Sequence, residues 1–115
     1  MEILETPKEK CLIIGIRGRL DTTNYAQLEK RVMELIDGGQ HNLLVDCREM
    51  DYVSSSGLRI LLMALKKITA LKGNFLLCGL QDNIREIFEI SGFTSIFKIF
   101  PDTDEALKAD RKSVV

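Results

Sequence analysis

Three hydroxyl side chains, Ser54-Ser55-Ser56, stand directly before Gly57 and a long apolar segment. A serine oxygen can attack as a nucleophile, cap a helix, or accept a transferred phosphoryl group. Nucleophilic attack needs a base within hydrogen-bond reach. The single histidine, His41, stands at the entry of the apolar run 42–47, while Asp46 and the serines stand at its exit. An extended chain puts about 16 Å between the two ends. His41 therefore reads as a surface residue, and the G-x-S-x-G elbow of the hydrolases is absent. Capping remains, and it needs only one of the hydroxyls. The others are spare beside the positive end of a helix, where free backbone N–H groups accommodate a phosphate.

Two aspartates stand near the same place. Asp21 follows the first apolar run and reads as a cap or as the brace of its loop. Asp46 closes the second run and is expected to accept hydrogen bonds from nearby N–H groups or serine hydroxyls, because an unpaired buried carboxylate is costly. Its position would also suit the phosphoacceptor of a receiver-like phosphoaspartate protein. That chemistry needs an acidic cluster around a divalent metal. The stretch Arg17-Gly18-Arg19-Leu20-Asp21 offers one carboxylate, and no phosphate-cradling loop or metal-ligand cluster is found elsewhere. Neither a metal nor a cofactor is expected.

These residues need elements to position them. Strands are predicted at 2–6, 11–17, 42–47, 74–78 and 96–100, with a turn at Pro7–Lys10 and a plain connection from Arg48 to Val53. A helix from Thr22 to Ile36 would turn Tyr25, Leu28, Val32, Leu35 and Ile36 inward, and Gly38-Gly39 would stop it. The serine run opens a second helix, 57–71, with Leu58, Leu61, Leu62, Leu65 and Ile68 inward and Gly73 at its close. A third, 82–91, buries Ile84, Ile87 and Phe88; a fourth starts at Asp102-x-x-Glu105, a variant capping box, and runs to about residue 109. Apolar strands alternating with amphipathic helices make an α/β fold, with a mixed, mainly parallel sheet of about five strands and four helices. Sites in such folds lie beyond the carboxyl ends of the strands. The loops Gly18–Thr23, Cys47–Gly57 and Gly79–Asn83 meet that description and gather Asp21, Asp46 and the serines at one edge.

The 115 residues suit one domain, taken as 1–110, with 111–115 as a flexible tail. A formal net charge of -1 gives no reason to expect nucleic acid. No apolar run reaches the roughly 20 residues of a membrane span, and the first residues lack a signal-peptide core. Cys11, Cys47 and Cys78 sit singly within apolar runs and read as buried thiols of a reducing, cytoplasmic compartment.

Taken together, these segments resemble a known family. Gly18-Arg19-Leu20-Asp21 resembles its G-x-L-D; Leu44-Val45-Asp46-Cys47 resembles its apolar strand ending in Asp. Asp51-Tyr52-Val53-Ser54-Ser55-Ser56-Gly57-Leu58 resembles its D-S-S-G-L phosphorylation segment, with Ser54 in place of the aspartate. Gly92-Phe93 and Asp104-Glu105-Ala106-Leu107 resemble its C-terminal part. The family is that of the STAS-domain anti-sigma factor antagonists. The resemblance implies a STAS-like fold and a non-catalytic partner switch. The unphosphorylated antagonist binds an anti-sigma factor, which is also a serine kinase of the GHKL type, and so releases a sigma factor. Phosphorylation of the serine before the glycine, here Ser56 with Ser55 as fallback, blocks binding, and a PP2C-type phosphatase reverses it. Asp21, Thr22, Thr23, Ser54, Ser55, Leu58, Arg59 and Met63 would then form the partner-binding surface, with Asp46 supporting the acceptor loop. A monomer or weak dimer is expected. A constitutive STAS adaptor in another regulatory assembly is the alternative within the same fold.

Overall fold

The computed structural model describes the backbone of residues 1–113 and the side chains of residues 1–110. The order is β1 (Glu2–Lys8), β2 (Cys11–Leu20), α1 (Tyr25–Asp37), β3 (Asn42–Asp46), β4 (Met50–Val53), α2 (Ser55–Ala70), β5 (Asn74–Cys78), α3 (Asp82–Ile90), a 3-10 turn (Phe93–Ser95), β6 (Lys98–Phe100) and α4 (Thr103–Ser113). The mixed sheet has six strands in the order β1-β2-β3-β5-β6, with β4 joined to β2. Only β1 runs antiparallel, as a hairpin with β2. The other pairings are parallel, as the alternation of strands and helices requires.

Period-two alternation in the central strands serves two layers. Leu43 and Val45 of β3 join the larger core beneath α1, α2 and α3, with Leu28, Val32, Leu61, Ile68, Ile84 and Phe88. Leu44, one residue out of step, joins the smaller core on the opposite face, with Cys11, Leu76, Cys78 and Ala106 of α4. Such fully buried side chains each contribute about 1.5–3 kcal/mol, which is why β3 and β5 read as continuous apolar runs. Leu58 belongs to the larger core as well, at 8% exposure.

Several elements differ from their sequence-based outlines. The segment 50–53, expected to be a plain connection, is the strand β4 and brings the sheet to six strands rather than about five. β2 continues through Gly18 to Leu20, pairing first with β3 and then, from Gly18 on and across a bulge between Gly18 and Arg19, with β4. β1 runs on to Lys8. α1 starts at Tyr25 rather than Thr22 because the bonded turn of Asp21 and Asn24 occupies the intervening residues. The segment 96–100 is not all strand. Phe97 folds back, its N–H donating to the Phe93 carbonyl, and its ring lies 5.6 Å from Phe88 and 5.7 Å from Phe93. Aromatic packing thus outweighs the β pattern there, and β6 keeps only three residues.

The expected cap of α4 is present, Glu105 N–H donating to Asp102 Oδ1 at 2.9 Å. That helix continues to Ser113 rather than stopping near 109, so the tail expected over 111–115 is helical at its start; residues 114 and 115 lie outside the described residues. Asp110, one turn beyond Ala106, is buried against the sheet at 5% exposure and accepts a bond from Asn74 Nδ2 at 3.3 Å. Burial raises its carboxyl pKa above the ordinary value, and the Asn74 bond opposes the rise.

Candidate functional site

β2, β3 and β5 run parallel, so their carboxyl ends deliver three segments to one edge of the sheet. Hydrogen bonds tie those segments together. The Gly18 N–H donates to Glu49 O at 2.9 Å and the Cys47 N–H to Cys78 O at 2.9 Å. Gln81 Nε2 donates to Arg48 O at 2.9 Å and Asn83 Nδ2 to Asp51 O at 3.3 Å. The expected gathering of residues 18–23, 47–57 and 79–83 is therefore realised.

β4 carries the serines into place. Its last residues pair with Arg19 and Leu20, and the Ser54 N–H donates to Leu20 O at 2.9 Å. Ser54 is extended, with φ -91° and ψ 172°, and its hydroxyl accepts from Gly57 N–H at 3.2 Å. It is the N-cap of α2, which leaves Ser55 and Ser56 as the first two helical residues. No side-chain hydrogen bond holds either of them among the described residues. Ser55 is exposed, whereas Ser56 is half-buried.

Gly57 explains how the serines come so close to the strands. A Cβ at this position would sit 2.8 Å from Leu20 Cγ and 2.9 Å from Val53 Cγ2. Only a residue without a side chain lets the first turn of α2 rest on the ends of β2 and β4.

Asp21 braces the neighbouring loop and does not cap α1. Its Oδ1 accepts from the Thr23 hydroxyl at 2.5 Å and the Thr23 N–H at 2.9 Å, and Arg19 Nε donates to Oδ2 at 3.3 Å. Asn24 Nδ2 donates back to Arg19 O at 2.8 Å, closing the turn. The Thr23 bonds, with a smaller contribution from Arg19, hold the Asp21 carboxyl below its ordinary pKa. Thr22 and Thr23 are exposed.

Asp46 corrects the sequence reading. It was expected to support the acceptor loop. The expected bond from a nearby N–H is present, from Arg48 at 3.1 Å, but the rest of the carboxylate is taken by the Arg48 guanidinium at 2.9–3.1 Å and no serine hydroxyl reaches it among the described residues. The reason is parity: Asp46 lies two residues after Leu44 and shares its face, opposite the layer that contains α2. There it lines a cavity of about 250 Å³ with Leu4, Ile13, Gly15, Arg17 and Arg48.

The remaining candidates divide. Leu58 lies in the core rather than at a surface rim. Met63 is half-buried against that core. Arg59 is exposed, its guanidinium carbon 5.8 Å from the centre of the Tyr25 ring. A second such pair was missed in the sequence: Arg19 lies 4.1 Å over the ring of Tyr52, its cross-strand partner. The pairing became legible only with β4, since Arg19 and Tyr52 are far apart along the chain. Burial pushes the Cys11 and Cys78 thiols up to about 12 and raises Cys47 too, so none is poised as a nucleophile. Among the described residues no group of His, Cys, Asp and Glu could hold a metal, and no helix is long and apolar enough to cross a membrane.

Known proteins share this fold. The STAS domain model matches residues 3–106. BtrV of Bordetella bronchiseptica, named as a candidate anti-sigma factor antagonist, is 37% identical over 98 residues, covering 85% of this chain and 84% of BtrV. A candidate anti-sigma factor antagonist from Thermotoga maritima superposes with a TM-score of 0.92 at 18% identity, over 95% of this chain and 94% of that one. The anti-sigma factor antagonist SpoIIAA superposes in its unphosphorylated form with a TM-score of 0.75 at 17% identity, over 99% of this chain and 100% of that one. The phosphorylated Bacillus form gives 0.75 at 17%, over 94% and 98%. With this fold, a serine run capping α2 and a family match across nearly its whole length, the chain belongs to the STAS-domain anti-sigma factor antagonist family.

Proposed function

We propose that this protein is an anti-sigma factor antagonist that works by partner switching, with Ser56 as the switched residue. Unphosphorylated, it binds an anti-sigma factor that is also a GHKL-type serine kinase, and a sigma factor is released. The kinase phosphorylates Ser56, binding is lost, and a PP2C-type phosphatase restores it. The protein itself catalyses nothing and acts in the cytoplasm.

One observation carries this reading. Three hydroxyls stand at the start of α2, and only that of Ser54 is used as a cap. Ser56 lies within the first turn, where a phosphate finds free N–H groups and a favourable helix dipole. Asp21, Thr22 and Thr23 lie on the adjoining loop and extend the surface a partner would cover. The name of BtrV and the two SpoIIAA forms agree with the same assignment. The half-burial of Ser56 favours a second reading, a constitutive STAS adaptor whose serine is never modified, and makes the exposed Ser55 the fallback acceptor.

Affinity capture from the native cell followed by mass spectrometry identifies the partner. Incubation with that kinase and ATP, then peptide mapping, should place one phosphate on Ser56. A phosphate outside residues 54–56 contradicts the assignment, and no phosphate at all supports the adaptor.

A further inference from the structure

The arginines of β2 and of the β3–β4 connection are all paired with carboxylates. Arg17 holds Glu49 and Glu2, Arg19 holds Asp21, and Arg48 holds Asp46; further away, Arg31 holds Glu5 and Glu34. Arg59 is different. It has no carboxylate within ion-pair reach among the described residues, it is exposed, and it stands three residues after Ser56 on α2. It lies toward the ring of Tyr25, the first residue of α1, at 5.8 Å. Tyr25 is half-buried against the core, so the ring is a fixed platform for a flexible cation.

We propose that Arg59, steadied by Tyr25, is the anchor of the docking surface and meets a carboxylate on the anti-sigma factor, so that the partner presents an acidic patch to the start of α2. This rests on the functional reading above and adds the chemistry of the partner. Arginine and tyrosine are the residues that most often dominate interface energetics, and a guanidinium takes up a carboxylate in two parallel hydrogen bonds. A preordered side chain loses less freedom on binding. The proposal also accounts for the sign of the switch. Residues three apart on a helix have Cβ atoms about 5–6 Å apart. A phosphate on Ser56 therefore adds roughly 1.5–2 negative charges beside Arg59. The local surface turns from cationic to anionic and repels the carboxylate it had attracted.

The test uses the anti-sigma factor that copurifies with the wild-type chain. Binding rates and affinities are measured at a series of salt concentrations for wild type, Arg59→Gln, Arg59→Lys and Arg85→Gln. Arg85 is the control, another arginine without an ion-pair partner among the described residues, carried on α3. Arg59→Gln should weaken binding at least about tenfold and flatten its salt dependence, with Arg59→Lys between it and wild type. Arg85→Gln should behave as wild type. Wild-type affinity and salt slope in Arg59→Gln, with binding still abolished by phosphate on Ser56, would overturn this inference and leave the switch standing. If no anti-sigma factor binds the wild-type chain at any salt, the functional reading fails and takes the inference with it.

Discussion

Ser54 and Ser56 stand in different surroundings although they are chemically identical and two residues apart. The Ser54 hydroxyl satisfies a backbone N–H at the start of α2, so Ser54→Ala should cost about 1 kcal/mol in denaturant unfolding. Ser56→Ala removes no bond and should leave the midpoint within about 0.5 kcal/mol of wild type. Asp21 supplies a pH-dependent effect. Its folded pKa is depressed, so its stabilisation is present above the unfolded value and is lost as pH falls through the folded one. Asp21→Ala should therefore melt below wild type at neutral pH, and the gap should close in acid; a gap independent of pH would show that its carboxylate bonds contribute nothing. Asp46→Ala removes the ion pair to the exposed Arg48 and the bond from the Arg48 backbone N–H, and should cost about 1 kcal/mol. The three serines were legible because they exceed what capping needs. The orientation of Asp46 was legible too, since Leu44 two residues earlier marks its face, but the carboxylate's nearness to the serines along the chain obscured that parity.

At the level of elements, the site depends on how α2 meets the ends of β2 and β4. Gly57→Ala forces a methyl against Leu20 and Val53 and should destabilise by about 1–3 kcal/mol, read by thermal or chemical unfolding. The same substitution should displace the serines and weaken partner binding beyond what unfolding explains; wild-type stability would mean that the first turn of α2 is not held as described. The long apolar strands and the amphipathic helices followed from periodicity, because burial on one or two faces dictates it. β4 did not. Its four residues, Met50-Asp51-Tyr52-Val53, carry the burial pattern of two covered ends around two exposed residues, which matches neither strict alternation nor a continuous run. Its place is set by pairing with β2 across the bulge between Gly18 and Arg19, a tertiary contact no local pattern encodes. The end of the sheet failed in the same way: the Phe75, Phe88, Phe93 and Phe97 cluster claims residues that read as strand.

On the proposed reading, the whole molecule keeps its shape while its surface charge changes. Two cores clamp the central strands from both faces, and the serine run lies outside both. Phosphorylated and unphosphorylated chains should thus share circular dichroism spectra and melt within a few degrees of each other, so the switch is read at the interface and not in the fold. The central claim is that Ser56 is this switch, and isothermal titration of the purified anti-sigma factor tests it most directly. Wild type and Ser56→Ala should bind alike, while the chain phosphorylated on Ser56 and Ser56→Asp should lose affinity by orders of magnitude, since a dianion or carboxylate would have to be desolvated against an acidic partner surface. Equal affinity for all four forms would contradict the account and leave a constitutive adaptor in its place.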